Sequence, residues 1–146
     1  MILLLVVATA AAGCFAGAAV YINAVEHPAR MSGGVALALT EFRPSYRRAT
    51  VMQVSLAVTG LLSGVLYGWQ QADRTVLLAA LMLGAVIPFT LVAIMPTNRQ
   101  LLASGVEHDE AGARALLTRW NRLHGVRSLL SVAAFLVLLA SLAGSR

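Results

Sequence analysis

The sequence predicts an all-α integral membrane protein, a bundle of four transmembrane helices with two longer cytoplasmic connections. Three observations lead there. Hydrophobic residues make up 59% of the 146 and charged residues only 12%, against about half and a quarter in soluble domains. Four stretches close to twenty residues long carry no charge. The basic residues are all arginine, and they gather in two of the connections.

The chain reads as one membrane domain, 1–146, with helices at about 2–24, 50–70, 75–97 and 109–143. At roughly 1.5 Å per residue, twenty residues cross a hydrocarbon core of about 30 Å. Backbone groups in lipid must be satisfied within the segment, so each span is a helix. The first, from Ile2, has no basic segment before it and next meets an arginine at Arg30, which is unlike a secretory signal. Its single cysteine, Cys14, supports neither a disulfide framework nor a metal motif and is expected to pack inside the bundle.

Between the first and second helices, Gly34 to Thr40 are small and apolar, and Glu41-Phe42-Arg43-Pro44-Ser45-Tyr46-Arg47-Arg48 mixes aromatics with arginines. That pattern predicts a short segment lying at the lipid interface. On the second helix, Gly60, Gly64 and Gly68 recur every fourth residue, as do Gly13 and Gly17 on the first. Such faces let helix backbones approach closely, here inside one bundle, with a homo-oligomer interface as the alternative.

Gln70-Gln71-Ala72-Asp73-Arg74 is a tight connection, so helices two and three are antiparallel neighbours. Pro88 leaves the Gly84 carbonyl without its usual donor, which predicts a kink or local opening in helix three, with Thr90 nearby as a polar neighbour. Acids at Glu107, Asp109 and Glu110 mark a helix start. Leu116, Leu117, Trp120 and Leu123 then follow at helical spacing into the fourth span.

Nine arginines lie in the 24–50 and 97–127 connections, and two, Arg74 and Arg146, lie on the other side. The positive-inside rule places both long connections in the cytoplasm and both termini outside, in the inner membrane if the source is bacterial. The net charge of +5 is therefore a matter of lipid and topology. A nucleic-acid partner is not expected, since the arginines sit at membrane ends rather than on a soluble basic face.

Every helix brings polar groups to the cytoplasmic end. Asn23, Glu26 and His27 share a face of helix one at spacings of three and four. Tyr46, Arg47 and Gln53 stand where helix two enters, and Asn98 where helix three leaves. Helix four contributes Trp120, Asn121, His124 and Arg127, of which Trp120, His124 and Arg127 fall on one stripe. Taken singly, the tryptophan, tyrosine and arginines are ordinary interface anchors, and the asparagines ordinary caps. His108 reads as a solvated loop histidine. His27 and His124 differ, because ionisable groups within a turn of the apolar span usually face the protein interior and serve a function.

Glu26-His27-Pro28 after Asn23, Pro88-Phe89-Thr90 followed by Pro96-Thr97-Asn98, and Trp120-Asn121-x-x-His124-x-x-Arg127 resemble the anthrone-oxygenase-like family of small four-helix membrane proteins. The resemblance spans nearly the whole chain. It implies an oxygenase acting on an anthrone-type or other aromatic, lipophilic substrate with O2. The residues are chemically suited to that. A neutral imidazole can deprotonate an acidic methylene, with His124 the base and Glu26 and His27 orienting it or relaying its proton. Arg127, Asn98 and Asn121 supply donors to the resulting oxyanion. Trp120 and Tyr46 offer faces to a flat polycycle, and Asn23, Gln53 and Thr90 complete the substrate-binding set. No cofactor is required by this reading.

Two alternatives stay open. His27, His124 and Glu26 are ligand types for a haem or a metal ion, although no paired-ligand motif supports them. A non-catalytic membrane subunit is the other. A proton-coupled transporter fits less well, because no carboxylate lies at mid-membrane.

Overall fold

A computed structural model describes residues 1–145; Arg146, counted above with the outside charges, lies outside the described residues. Its four long helices are α1 (Ile2–Ser32), α2 (Val35–Gln70), α3 (Arg74–Leu102) and α4 (Glu110–Gly144), each long and apolar enough to cross a membrane. No strand occurs among the described residues. The helices form a four-membered ring in which α1 and α3 each pack on both α2 and α4, while α2 and α4 face each other across the diagonal.

The small-residue stripe explains the closest contacts. A Cβ on Gly64 would lie 2.6 Å from the Ala80 Cβ, and one on Gly60 would lie 2.5 Å from a Leu83 methyl. Only glycine lets α2 sit this near α3, with Ala8 and Ala11 of α1 packed on the same stripe. Gly13 likewise accommodates Phe135 of α4, whereas Gly17 faces open space. Cys14 does not pack in the bundle as expected. It is exposed, on the outward side of α1.

The tight turn after Gln70 places Ala72 at φ +53°. Asp73 then caps α3, accepting from the N–H groups of Thr75 (3.0 Å) and Val76 (3.1 Å). Asp109 caps α4 in the same way, accepting from Gly112 N–H at 2.9 Å.

The segment expected to lie separately at the lipid interface is instead the first part of α2, continuous from Val35. Pro44 sits inside that helix without ending it. The carbonyl it deprives of a donor belongs to Thr40, which is exposed, so solvent can satisfy it. A separate chain break comes earlier, at Gly34, whose φ of +93° suits glycine.

α1 and α3 share an irregularity that positions the site. Each contains one π-turn, Ile22–Glu26 and Thr90–Ile94. In each, the closing N–H belongs to the residue just before a proline: His27 N–H bonds Ile22 O ahead of Pro28, and Met95 N–H bonds Thr90 O ahead of Pro96. A proline cannot supply the next α-type donor, and the π-turn takes up the extra residue. α3 also breaks step at Ala85, three residues before Pro88. The Thr90 hydroxyl bonds the Val86 carbonyl (2.6 Å), not the Gly84 carbonyl that Pro88 leaves free. Beyond Phe89, α3 stays against α4 but parts from α2. A cavity fills the resulting gap, between a core at the Arg74-turn end and a second core at the arginine-rich end.

Candidate functional site

The cavity has a volume of about 110 Å³, well above the ~15 Å³ that admits one water. Its walls are largely apolar, from Phe15 and Ile22 on α1, Phe42 and Ala57 on α2, and Val86 and Ile94 on α3. Polar side chains enter from several helices. His124 and Arg127 come from α4, Gln53 from α2, and Thr90 and Asn98 from α3.

These groups form a connected chain. An Arg127 Nη2 donates to Gln53 Oε1 and lies 2.8 Å from His124 Nε2. Arg127 Nη1 reaches the Thr90 hydroxyl at 3.5 Å, and the guanidinium carbon stands 5.5 Å from the centre of the Phe15 ring. A guanidinium only donates, so His124 Nε2 must present its lone pair. The imidazole proton therefore sits on Nδ1, which lies 2.7 Å from Asn23 Oδ1.

Asn23 is itself held rigidly. Its Nδ2 donates to the Asn121 carbonyl (3.0 Å) and Asn121 Oδ1 (2.7 Å), and the Ser128 hydroxyl donates to Asn23 Oδ1 (2.6 Å). The amide orientation and the histidine tautomer are thus set by one network.

Some polar atoms are left over. Gln53 Nε2, Arg127 Nε and Asn98 Oδ1 are buried without a partner, on side chains that all line the cavity. Buried polar atoms are usually bonded, so an unmatched set converging on one cavity marks where a polar ligand atom would sit.

Towards the arginine-rich end aromatic rings line the cavity. Trp120 stacks on His124 (4.8 Å between centroids) and on His27 (5.8 Å), and Phe42 meets it edge-on at 5.3 Å. Tyr46 stacks on Phe42 and places its hydroxyl 3.8 Å from Met95 Sδ. Beside them, Glu26 pairs with Arg30, and the Ser45 hydroxyl donates to the same carboxylate oxygen at 2.7 Å.

The anthrone oxygenase family model matches residues 42–137, from the start of the aromatic wall on α2 through most of α4. This chain belongs to the anthrone oxygenase family. It is also 30% identical over 109 residues to anthrone oxygenase gedH of Aspergillus terreus (strain NIH 2624 / FGSC A1156), an alignment covering 68% of this chain and 71% of the relative. No solved structure matches it.

For this anthrone oxygenase family member, eight of the eleven residues singled out from the sequence line the cavity: Glu26, Tyr46, Gln53, Thr90, Asn98, Trp120, His124 and Arg127. Three do not. Asn23 and Asn121 stand behind His124 and fix it, and His27 lies behind Trp120 with its Nδ1 buried and unpartnered. Asn121 therefore does not reach an oxyanion in the cavity, and His27 does not face one.

Residues that the sequence did not single out complete the site. Phe42 and Phe15 are apolar walls that only tertiary packing reveals. Ser128 was legible in principle, four residues beyond His124 on the same stripe. Arg30, counted only as a topology charge, is buried at 3% exposure and pairs with Glu26 one helical turn away.

The donor set fits a metal or haem poorly. Both ring nitrogens of His124 are engaged, Glu26 is committed to Arg30 and Ser45, and His27 is screened from the cavity by the Trp120 indole. Among the described residues, no three histidine, cysteine or acidic side chains converge as a ligand group.

Proposed function

We propose that this protein is a membrane oxygenase that binds a flat, lipophilic, anthrone-type carbonyl compound in the cavity among the four helices and oxidises it with O2. The observation that carries the reading is the Gln53–Arg127–His124–Asn23 chain, which ends on an apolar cavity with unused donors. The family supplies the reaction class.

The substrate carbonyl oxygen accepts from Gln53 Nε2–H and Arg127 Nε–H, both free for it. As that oxygen draws the guanidinium towards itself, the His124 Nε2 lone pair is released to take a proton from the adjacent acidic methylene. The electron pair from the broken C–H bond moves onto the carbonyl oxygen, and the same donors stabilise the oxyanion. The electron-rich ring carbon then reduces O2. One oxygen atom becomes the new carbonyl, and the other leaves as water with the two methylene hydrogens, so the anthrone becomes an anthraquinone. Trp120 and Tyr46 flank the ring plane. The arginine-rich end faces the cytoplasm in this reading, with both termini on the other side.

Detergent-purified protein tests it directly. Oxygen uptake and anthraquinone formation from anthrone are expected well above the protein-free rate, and that excess is lost in Arg127→Gln and His124→Phe. No excess over spontaneous oxidation, with stable co-purification of another membrane subunit, would instead assign a non-catalytic role.

A further inference from the structure

We infer that the cavity is loaded from within the bilayer, through a lateral opening between α2 and α3. The cargo class rests on the oxygenase reading; the route rests on the shape of the bundle.

The opening has two closed ends. At one end Gly84 of α3 is pressed against Leu61 of α2, where an added Cβ would come within 2.7 Å of a leucine methyl. At the other, the Tyr46 hydroxyl of α2 touches Met95 of α3. Leu61 and Tyr46 are fifteen residues apart on one helix, about 22 Å along its axis. Between these two contacts α3 loses a regular helical bond at Pro88, and from the π-turn at Thr90 onward it packs on α4 rather than on α2.

The residues framing the gap face outward and into the cavity at once. Val54 is 47% exposed and Leu91 58% exposed, yet both line the cavity, as do Thr50 and Ile87. The frame carries no charge. The alternative way in, from the arginine-rich end, passes the Glu26–Arg30 ion pair and Ser45 beside the Phe42–Trp120–His27 stack, a charged rim that a neutral polycycle gains nothing by crossing. A neutral polycycle concentrates in lipid because its apolar surface is expelled from water. It therefore meets the frame edge-on at the depth where the donors of Arg127 and Gln53 wait. The gap beside this irregular stretch of α3 thus serves as a side door, and the polar chain behind it selects ring systems that carry a carbonyl.

The test follows binding without turnover. Trp69→Phe leaves Trp120, which lines the cavity, as the sole tryptophan. In proteoliposomes of phosphatidylcholine, anthraquinone, whose absorption overlaps indole emission, should quench Trp120 at a rate proportional to its amount per lipid. Adding Val54→Phe and Leu91→Phe narrows the frame and is expected to slow quenching at least about tenfold, with end-point quenching largely retained. Val54→Ala with Leu91→Ala should speed it. Leu129→Phe, on the lipid-facing side of α4 at 73% exposure, should leave it unchanged.

Equal quenching rates in the narrowed, widened and parent proteins overturn the side door, as does faster quenching only in Phe42→Ala. Absence of any quenching in the parent overturns both the cargo and the door. Anthrone-dependent oxygen uptake is scored separately. Frame-dependent quenching without uptake keeps the door and removes the oxygenase, and uptake with frame-independent quenching does the reverse.

Discussion

Arg127 donates to Nε2 of His124 at 2.8 Å, and that contact decides which nitrogen of the imidazole carries the proton. With Nε2 accepting, Nδ1–H points to Asn23 Oδ1, itself fixed by Asn121 and Ser128. An arginine on α4 and an asparagine on α1 together fix a neutral histidine whose Nε2 lone pair is held by the guanidinium until a ligand draws it away. The tautomer is directly measurable. In 15N-histidine-labelled protein, His124 should show a protonated Nδ1 and an unprotonated Nε2. The opposite pattern would remove His124 from the role of base.

Asn23 should behave as a positioning residue. Asn23→Leu leaves the Asn121 side chain and the His124 Nδ1–H without their partner, a cost of about 1–3 kcal/mol per buried group. A lower unfolding midpoint in detergent is expected, together with loss of the single His124 tautomer. Asn23→Leu with unchanged histidine nitrogen signals would show that the network does not control the ring.

Arg127 and lysine should not be interchangeable here. The guanidinium reaches Gln53, His124 and Thr90 at once while keeping Nε free, and an ammonium offers no such planar fork. Arg127→Lys is expected to cut kcat by roughly 10²-fold, the scale of losing an oxyanion donor. Gln53→Leu should act in the same direction. A change in KM alone in both variants would assign them to binding rather than to the charged state.

Much of this was visible in the sequence, for physical reasons that differ by element. The four spans follow from charge-free length, and the Trp120–His124–Arg127 stripe follows from α-helical spacing on a helix that stays regular. What sequence spacing mishandled lies on α1. Asn23, Glu26 and His27 share a face in an ideal helix, but the π-turn ahead of Pro28 shifts the angular register between Asn23 and His27. His27 ends behind Trp120, and Asn23 turns to α4. Residue types alone do not encode a π-turn; proline only removes a donor, and the neighbouring helices choose how the backbone recovers. The continuation of α2 through Pro44 was hidden for a related reason, since the exposure that tolerates the lost bond at Thr40 is a tertiary fact.

The Glu26–Arg30 pair carries a stability prediction. Arg30 is 3% exposed and Glu26 28%, so removing Glu26 strands a desolvated charge, whereas removing Arg30 leaves a carboxylate that water partly reaches and Ser45 still holds. Glu26→Ala should destabilise by about 3 kcal/mol and Arg30→Ala by less. The double variant should cost clearly less than their sum, because it leaves no orphan. Strict additivity in a denaturation series would mean that the pair is solvent-screened.

The glycine stripe gives the sharpest contrast between two substitutions of identical chemistry. Gly64→Ala forces a Cβ to 2.6 Å from the Ala80 Cβ, in a contact between rigid helix backbones with no flexible side chain to yield. Gly17→Ala adds the same methyl where nothing lies within 4 Å. Overpacking a close helix contact costs about 1–3 kcal/mol, whereas alanine in place of an unobstructed helical glycine gains up to about 1 kcal/mol in helix propensity. The two variants should therefore move the thermal midpoint in detergent in opposite directions, Gly64→Ala down and Gly17→Ala level or up. Because Gly64 lies on the half of α2 that stays against α3, its substitution should spread the helices away from the cavity and weaken anthraquinone binding only through lost stability. A Gly64→Ala protein as stable as the parent would mean that α2 and α3 are not in contact at this point, and the Leu61–Gly84 end of the lateral opening would have to be redrawn.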